Sequence, residues 1–227
     1  MGKGHKLTQI HQIEITSKCN LRCKYCPHPS MKRKKQHMSM DTFYQAMWWV
    51  EYFLVGGTQG ELSLTGIGEG TLHPNFIEMM SIARDQSKDM DIVFSTNGMK
   101  TFTEEIAEAC EKYNIGVFIS VHKPEFAGKA IALAKKYGVL RDTNISAATS
   151  SFDWAGQVDW PITAPKAICE YLRSGWGVVL SDGSITTCCL DAEGHGIIGH
   201  VNEPAREIDM LPYSLCENCH MKIPYGV

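Results

Sequence analysis

Two hydrophobic periods take turns along this chain. From residue 9 to residue 16, Ile10, Ile13 and Ile15 are interleaved with polar residues, which predicts a strand. Asp41 then reads as the N-cap of a helix that runs to about Leu54 and stops at Val55-Gly56-Gly57. The alternation repeats. Further strands are predicted at 61–65, 91–95, 116–121 and 143–148, and helices at 75–85, 103–112 and 124–137, the last opened by Pro124. Strands that alternate with helices predict parallel β/α architecture. Five strands are fewer than a six-unit barrel needs, so the expected fold is an α/β, open and abbreviated (β/α) barrel. Chemistry in such barrels gathers at the C-terminal ends of the strands. The loops that fall there are residues 17–28, 66–73, 96–99 and 122–124.

Past about residue 150 the character changes. Residues 150–167 are irregular, with Gly156, Pro161 and Pro165. Segments 177–180 and 184–188 flank Ser181-Asp182-Gly183, a turn signal that predicts a β-hairpin. The polar loop 29–40 holds a basic run, Lys32 to Lys35, which reads as a solvated loop, with substrate or phosphate contact as the sharper reading.

Composition narrows the class. Hydrophobic residues make up 44% of the 227, enough for a sizeable core. Lys and Arg number 22 against 25 Asp and Glu, a balance that argues against a nucleic-acid binder. No apolar run reaches the length of a membrane span, and the first sixteen residues lack the apolar stretch of a secretory signal. The expectation is a cytoplasmic protein with no membrane and no nucleic-acid partner. Nine cysteines, an odd number, without an export signal point to metal or redox chemistry rather than disulfides.

Cys19, Cys23 and Cys26 have the spacing C-x3-C-x2-C directly after the first strand. Iron–sulfur clusters usually take four thiolates, so three leave one iron open to a small ligand. A zinc site completed by His28, or plain buried cysteines, are the alternatives. A second set, Cys169, Cys188, Cys189, Cys216 and Cys219, lies in the C-terminal third. Adjacent strand residues point to opposite faces, so only one of Cys188 and Cys189 is expected to serve. A structural four-cysteine zinc site is the alternative here. Cys110 falls on the apolar face of a helix and reads as core.

The first motif resembles that of the radical S-adenosylmethionine (SAM) superfamily. The resemblance spans about residues 9–220. It implies a [4Fe–4S] cluster on Cys19, Cys23 and Cys26 whose fourth iron binds SAM, and reductive cleavage of SAM to methionine and a 5′-deoxyadenosyl radical. Tyr25 takes the aromatic position near the adenine. Gly66-Ile67-Gly68-Glu69-Gly70 resembles the segment that meets the SAM amino group, with Gly68 and Glu69 the residues named and glycine spacing that departs from the usual form. Ser95-Thr96-Asn97-Gly98 and Ser120-Val121-His122 resemble the strand ends that line the SAM pocket, which implicates Ser95, Asn97, Ser120 and His122. Taken alone, the glycine loop and Asn97-Gly98 are ordinary turn chemistry.

From Cys169 the spacing to Gly183 and on to Cys188 resembles the opening of SPASM and twitch domains, which carry auxiliary clusters. The implied second [4Fe–4S] cluster takes Cys169, Cys188, Cys216 and Cys219. The expected organisation is a flexible lead at 1–8, a partial barrel at 9–155 and a twitch domain at 156–227. Size and a single auxiliary cluster resemble the 2-deoxy-scyllo-inosamine dehydrogenases. That implies oxidation of a small molecule by hydrogen-atom abstraction, with an electron passed to the auxiliary cluster and a reducing protein such as flavodoxin or ferredoxin as donor. Modification of a ribosomal peptide is the alternative substrate reading, and a zinc-binding scaffold the non-enzyme one. His122, Arg141, Asp153 and Cys189 are candidate catalytic residues by loop position, with His28 and Glu125 behind them. Phe152 to Gln157 is a further candidate substrate contact.

Overall fold

The structure is a computed structural model that describes residues 5–55, 60–87, 90–144, 153–163 and 167–223. In chain order its strands are β1 (His5–Lys6), β2 (Gln9–Ile13), β3 (Glu61–Ser63), β4 (Asp91–Thr96), β5 (Ile115–Ser120), β6 (Leu140–Asn144), β7 (Trp176–Val179), β8 (Ser184–Thr186), β9 (Ile197–His200) and β10 (Asp209–Met210). The helices are α1 (Met40–Leu54), α2 (Phe76–Gln86), α3 (Glu104–Lys112), α4 (Pro124–Lys136), α5 (Glu170–Ser174) and α6 (Ser214–Glu217).

Eight strands form one sheet in the order β6-β5-β4-β3-β2-β7-β8-β9. The six from β6 to β7 run parallel, and the last two are antiparallel. This is a mixed α/β fold with a mostly parallel sheet, a partial barrel. The hairpin β7–β8 forms as expected, and Gly183 supplies its turn at φ +94. It does not build a sheet of its own. β7 lies parallel along the free edge of β2, so the C-terminal segment extends the barrel sheet. β1 pairs with β10, which ties residues 5 and 6, expected in a flexible lead, to the far end of the chain.

Side chains alternate across each strand. Leu62, Leu64, Ile92, Phe94, Val117 and Ile119 are fully buried and join the core shared with the helices. The intervening Ser63, Thr65, Ser95, Phe118 and Ser120 are half-buried on the inner, concave face. The Ser63 hydroxyl donates to Thr65 Oγ1 at 3.0 Å along that face. That face thus mixes the hydroxyls of Ser63, Thr65, Ser95 and Ser120 with the apolar Val93 and Phe118.

α1 buries Phe43, Ala46, Met47, Val50 and Phe53 at helical spacing. Its N-cap is Ser39, whose hydroxyl accepts the Thr42 amide at 3.1 Å, and not Asp41, which sits in the first turn beside the positive helix end. Trp49 Nε1 donates to the carbonyls of Val201 and Glu203, which fixes the C-terminal segment to α1. β6 begins earlier than expected, just past the Gly138 turn at φ +66. Of the expected strand 143–148, residues 145–148 lie outside the described residues. Among the described residues no helix is long and apolar enough to cross a membrane.

Candidate metal and cofactor site

Cys19, Cys23 and Cys26 follow β2 on one half-exposed loop. Its root is fixed. Thr16 pairs with His37, and Ser17, fully buried, exchanges bonds with Gln36. Burial pushes the Cys19 thiol up, and pushes Cys26 up to about 11, with the neighbouring thiols adding to both. A bound cation reverses that cost, because a metal-bound thiol is deprotonated outright. Backbone amides already point at the sulfurs. Leu21 N–H meets Cys19 Sγ at 3.4 Å, and the His28 amide meets Cys26.

The glycine-rich loop packs against this one. A side chain at Gly68 would put its first carbon 2.3 Å from the Thr16 carbonyl and 2.6 Å from that of Lys18, so only glycine allows the approach. The Glu69 amide donates to the Lys18 carbonyl at 2.8 Å. Glu69 itself is buried. Its Oε1 accepts the hydroxyls of Thr71 at 2.6 Å and Thr96 at 2.7 Å, and its Oε2 accepts the Asn97 amide at 2.7 Å. Burial pushes this carboxyl up, and the four donors pull it back in part. Among the described residues Oε2 accepts this one hydrogen bond.

Asn97 extends the site. Its Nδ2 donates to Asn20 Oδ1 at 2.7 Å, and it reaches the Cys19 thiol. Ser95 donates its amide to Thr65 Oγ1, and the Ser120 carbonyl accepts the His122 amide. His122 stacks on Tyr25 with ring centres 5.8 Å apart, bonds the Tyr25 hydroxyl through Nδ1, and lies 3.8 Å from Cys23 Sγ. Trp160 closes on Tyr25 edge-on at 5.4 Å. Burial lowers the affinity of His122 for a proton and holds the Tyr25 phenol protonated. The structure therefore brings Tyr25, Gly68, Glu69, Ser95, Asn97, Ser120 and His122 to one end of the sheet with the three cysteines.

A second pocket has Cys169, Cys188, Cys216 and Cys219 on its wall, together with the apolar Leu172 and Leu215. Amides again face sulfur, Leu190 N–H on Cys188 and Met221 N–H on Cys219, both at 3.4 Å. Cys189 does not line that pocket, although it too lies near Cys169 and Cys219. It lies against the hydroxyl of Tyr171, which donates to Gln12 Oε1 at 3.2 Å. Burial pushes the Cys189 thiol up to about 11.

Both sets are cysteines with backbone amides aimed at their sulfurs, the donor chemistry that suits a sulfur-ligated cluster. Hydrogen bonds to ligand sulfurs are one of the levers that set cluster potentials. A single zinc ion needs its ligands drawn to about 2.3 Å from one centre. Among the described residues no three Cys, His, Asp or Glu side chains converge in that way.

Other candidates lie apart. Arg141 is exposed at the N-terminal end of the strands, paired with Asp91 at 2.6 Å and laid over Gly116, opposite the cysteine end. The expected strand had started later, which put Arg141 in the wrong loop. His28 is buried and donates Nε2–H to the Ser17 carbonyl, a structural role. Glu125 is exposed in the first turn of α4. Cys110 is buried beside Met80. Asp153 neighbours Cys219, and its Oδ1 is buried with no hydrogen-bond partner among the described residues. Phe152 lies outside the described residues.

Two residues escaped the sequence. Glu14 and Arg33, 2% and 9% exposed in their side chains, form a two-pronged ion pair at 2.8 and 3.0 Å. Burial works against the Arg33 charge, and the Glu14 bond and charge more than offset it. Glu14 also accepts the amides of Ile67 and Ser181, so the glycine loop, the basic loop and the hairpin meet on one carboxylate. The only signal was an acid in a strand of isoleucines.

The Radical SAM superfamily model matches residues 13–150. A tungsten-containing aldehyde ferredoxin oxidoreductase cofactor-modifying protein of Pyrococcus furiosus is 33% identical over 102 residues, 44% of this chain and 26% of that protein. A GTP 3′,8-cyclase of Nautilia profundicola is 25% identical over 120 residues, 52% of this chain and 37% of that protein. The chain thus spans well under half the length of these curated relatives. Among solved structures, BtrN in complex with AdoMet and 2-DOIA superposes with a TM-score of 0.70 at 20% identity, covering 88% of this chain and 80% of that one. BtrN in an open conformation gives 0.61 at 17%, covering 88% and 77%. At such identities the likeness is one of fold.

Proposed function

The chain belongs to the radical SAM superfamily, and on that premise we propose that it is a cytoplasmic oxidoreductase that removes a hydrogen atom from a small hydroxylated molecule and releases the substrate's electron to a second cluster. The observation that carries the oxidative reading is the pocket that unites Cys169, Cys188, Cys216 and Cys219 on an extension of the barrel sheet. A first cluster with SAM would supply a 5′-deoxyadenosyl radical, and an auxiliary cluster would supply a one-electron acceptor.

The protein's own groups do the rest. Cys19, Cys23 and Cys26 would hold the first cluster, and the four C-terminal cysteines the second. Glu69 and the backbone at Gly68 orient the amino group of SAM, while Asn97 and Ser95 line its pocket. Tyr25, with Trp160 edge-on to it, would pack near the adenine. A carbinol carbon that gives up its hydrogen atom becomes a ketyl-type radical. Loss of the hydroxyl proton and one electron then makes the carbonyl. Asp153, whose buried Oδ1 has no hydrogen-bond partner among the described residues and which neighbours Cys219, is the proposed proton acceptor. The inner wall of Ser63, Thr65, Ser95 and Ser120 suits a neutral hydroxylated substrate better than a nucleotide triphosphate. BtrN, whose structure holds AdoMet and 2-DOIA, shares the fold and supports the same substrate class.

The test is anaerobic turnover of reconstituted protein with SAM, reductant and a panel of cyclic and linear polyols and amino alcohols. Formation of 5′-deoxyadenosine with an equal amount of carbonyl product supports the reading. Turnover with GTP alone, or with none of the panel, overturns it.

A further inference from the structure

Charge is segregated along this chain. Residues 15–40 hold seven of its 22 Lys and Arg and none of its 25 Asp and Glu, which leaves the remainder with 15 of the former against 25 of the latter. Those seven are Lys18, Arg22, Lys24, Lys32, Arg33, Lys34 and Lys35, and the three cysteines of the first motif lie among them. All but Arg33 are exposed, and among the described residues none of these six forms an ion pair.

A solvated charge run has no fixed conformation. This one is pinned from inside. Arg33 turns inward onto Glu14 and also donates Nε–H to the Ala192 carbonyl at 2.9 Å. The Glu193 carboxylate accepts the amides of Lys32 and Arg33, both at 2.8 Å. Ser17 Oγ donates to the carbonyls of Lys34 and Gln36. With its middle cation buried and its backbone held, the loop leaves Lys32, Lys34 and Lys35 exposed, as Lys18, Arg22 and Lys24 are; Arg22 and Lys35 both lie near His28, and Lys18 near His37.

We propose that this pinned cationic face, formed by Lys18, Arg22, Lys24, Lys32, Lys34 and Lys35 around the first cysteine loop, is the docking surface for an acidic one-electron carrier protein. The proposal rests on the reading of Cys19, Cys23 and Cys26 as cluster ligands, since a cluster there must receive its electron from outside. The six cations are exposed side chains spread over two segments, residues 18–24 and 32–35, which fits a protein face better than a small anion. Fixed opposite charges speed and orient such encounters, and pre-organisation lowers the ordering cost of binding.

The test uses holoprotein and a flavodoxin of strongly negative net charge as the probe. Two triple variants are compared, K32E/K34E/K35E on the face and K112E/K129E/K135E on exposed lysines of α3 and α4. Binding is read directly by calorimetry at low and high salt, and reduction of the first cluster by its visible spectrum, with flavodoxin or with dithionite. The face variant is expected to bind flavodoxin about tenfold or more weakly, to show a raised KM for it with kcat retained, and to lose most of the salt dependence. The remote variant and dithionite reduction stay as in the parent protein. Equal weakening by both triples, or a face variant that binds flavodoxin normally but loses polyphosphate or single-stranded RNA, overturns the proposal. A parent protein that dithionite cannot reduce at the first cysteines overturns the cluster reading instead, and the binding data still stand on their own.

Discussion

The carboxylate of Glu69 accepts the backbone amide of Asn97 at 2.7 Å, so the loop after β3 and the loop after β4 are held by one buried group. Thr71 and Thr96 complete its shell. Glu69→Ala leaves these donors unsatisfied, at about 1–3 kcal/mol for each one that water cannot reach. The expected outcome is a lower urea midpoint together with at least tenfold weaker SAM binding by equilibrium dialysis. Stability loss with SAM affinity unchanged would make Glu69 a loop tie only.

Gly68 and Gly70 make a matched pair. A methyl at Gly68 meets two backbone carbonyls inside 3.0 Å, whereas at Gly70 its nearest neighbour is 3.5 Å away. Gly68→Ala should therefore displace the first cysteine loop and abolish SAM cleavage while the C-terminal pocket keeps its iron. Gly70→Ala should retain most of the activity. Iron content and 5′-deoxyadenosine yield of the two variants check this.

Breaking the Glu14–Arg33 pair on one side strands a buried charge. Arg33→Met is expected to cost about 3–5 kcal/mol, and the double variant Glu14→Gln/Arg33→Met much less, because a buried pair replaced as a whole is nearly neutral. Urea unfolding of the parent, the single and the double variant measures it. A single variant as stable as the parent would mean that water enters and solvates Glu14.

Much of the site was legible because its signals are local. Three cysteines within eight residues, Gly183 at its hairpin turn and the strand-end loops need no long-range knowledge. What stayed hidden was non-local or too short. Arg33 sits in a run of lysines, and its partner is nineteen residues away, so its burial has no sequence signature. β9 has four residues and β1 two, too few for a period to show. The pairing of β7 with β2 joins residues more than 160 apart. Arg141 was misplaced because the charged pair Arg141 and Asp142 masked the start of β6.

Cys188 and Cys189 are neighbours with different surroundings, one on the four-cysteine wall and one against Tyr171. Cys188→Ala should lose about four irons per chain, the content of one cluster, and Cys189→Ala none. Iron and sulfide assays on the purified variants decide, and the reverse result would exchange the two roles.

The most direct measurement of the whole account is anaerobic iron and sulfide quantification of the reconstituted protein, joined to EPR of the reduced form with and without SAM. Two clusters predict about eight irons and eight sulfides per chain, with one EPR signal that changes when SAM is added and a second that does not. Zinc without sulfide, or iron whose EPR signal is indifferent to SAM, would contradict it.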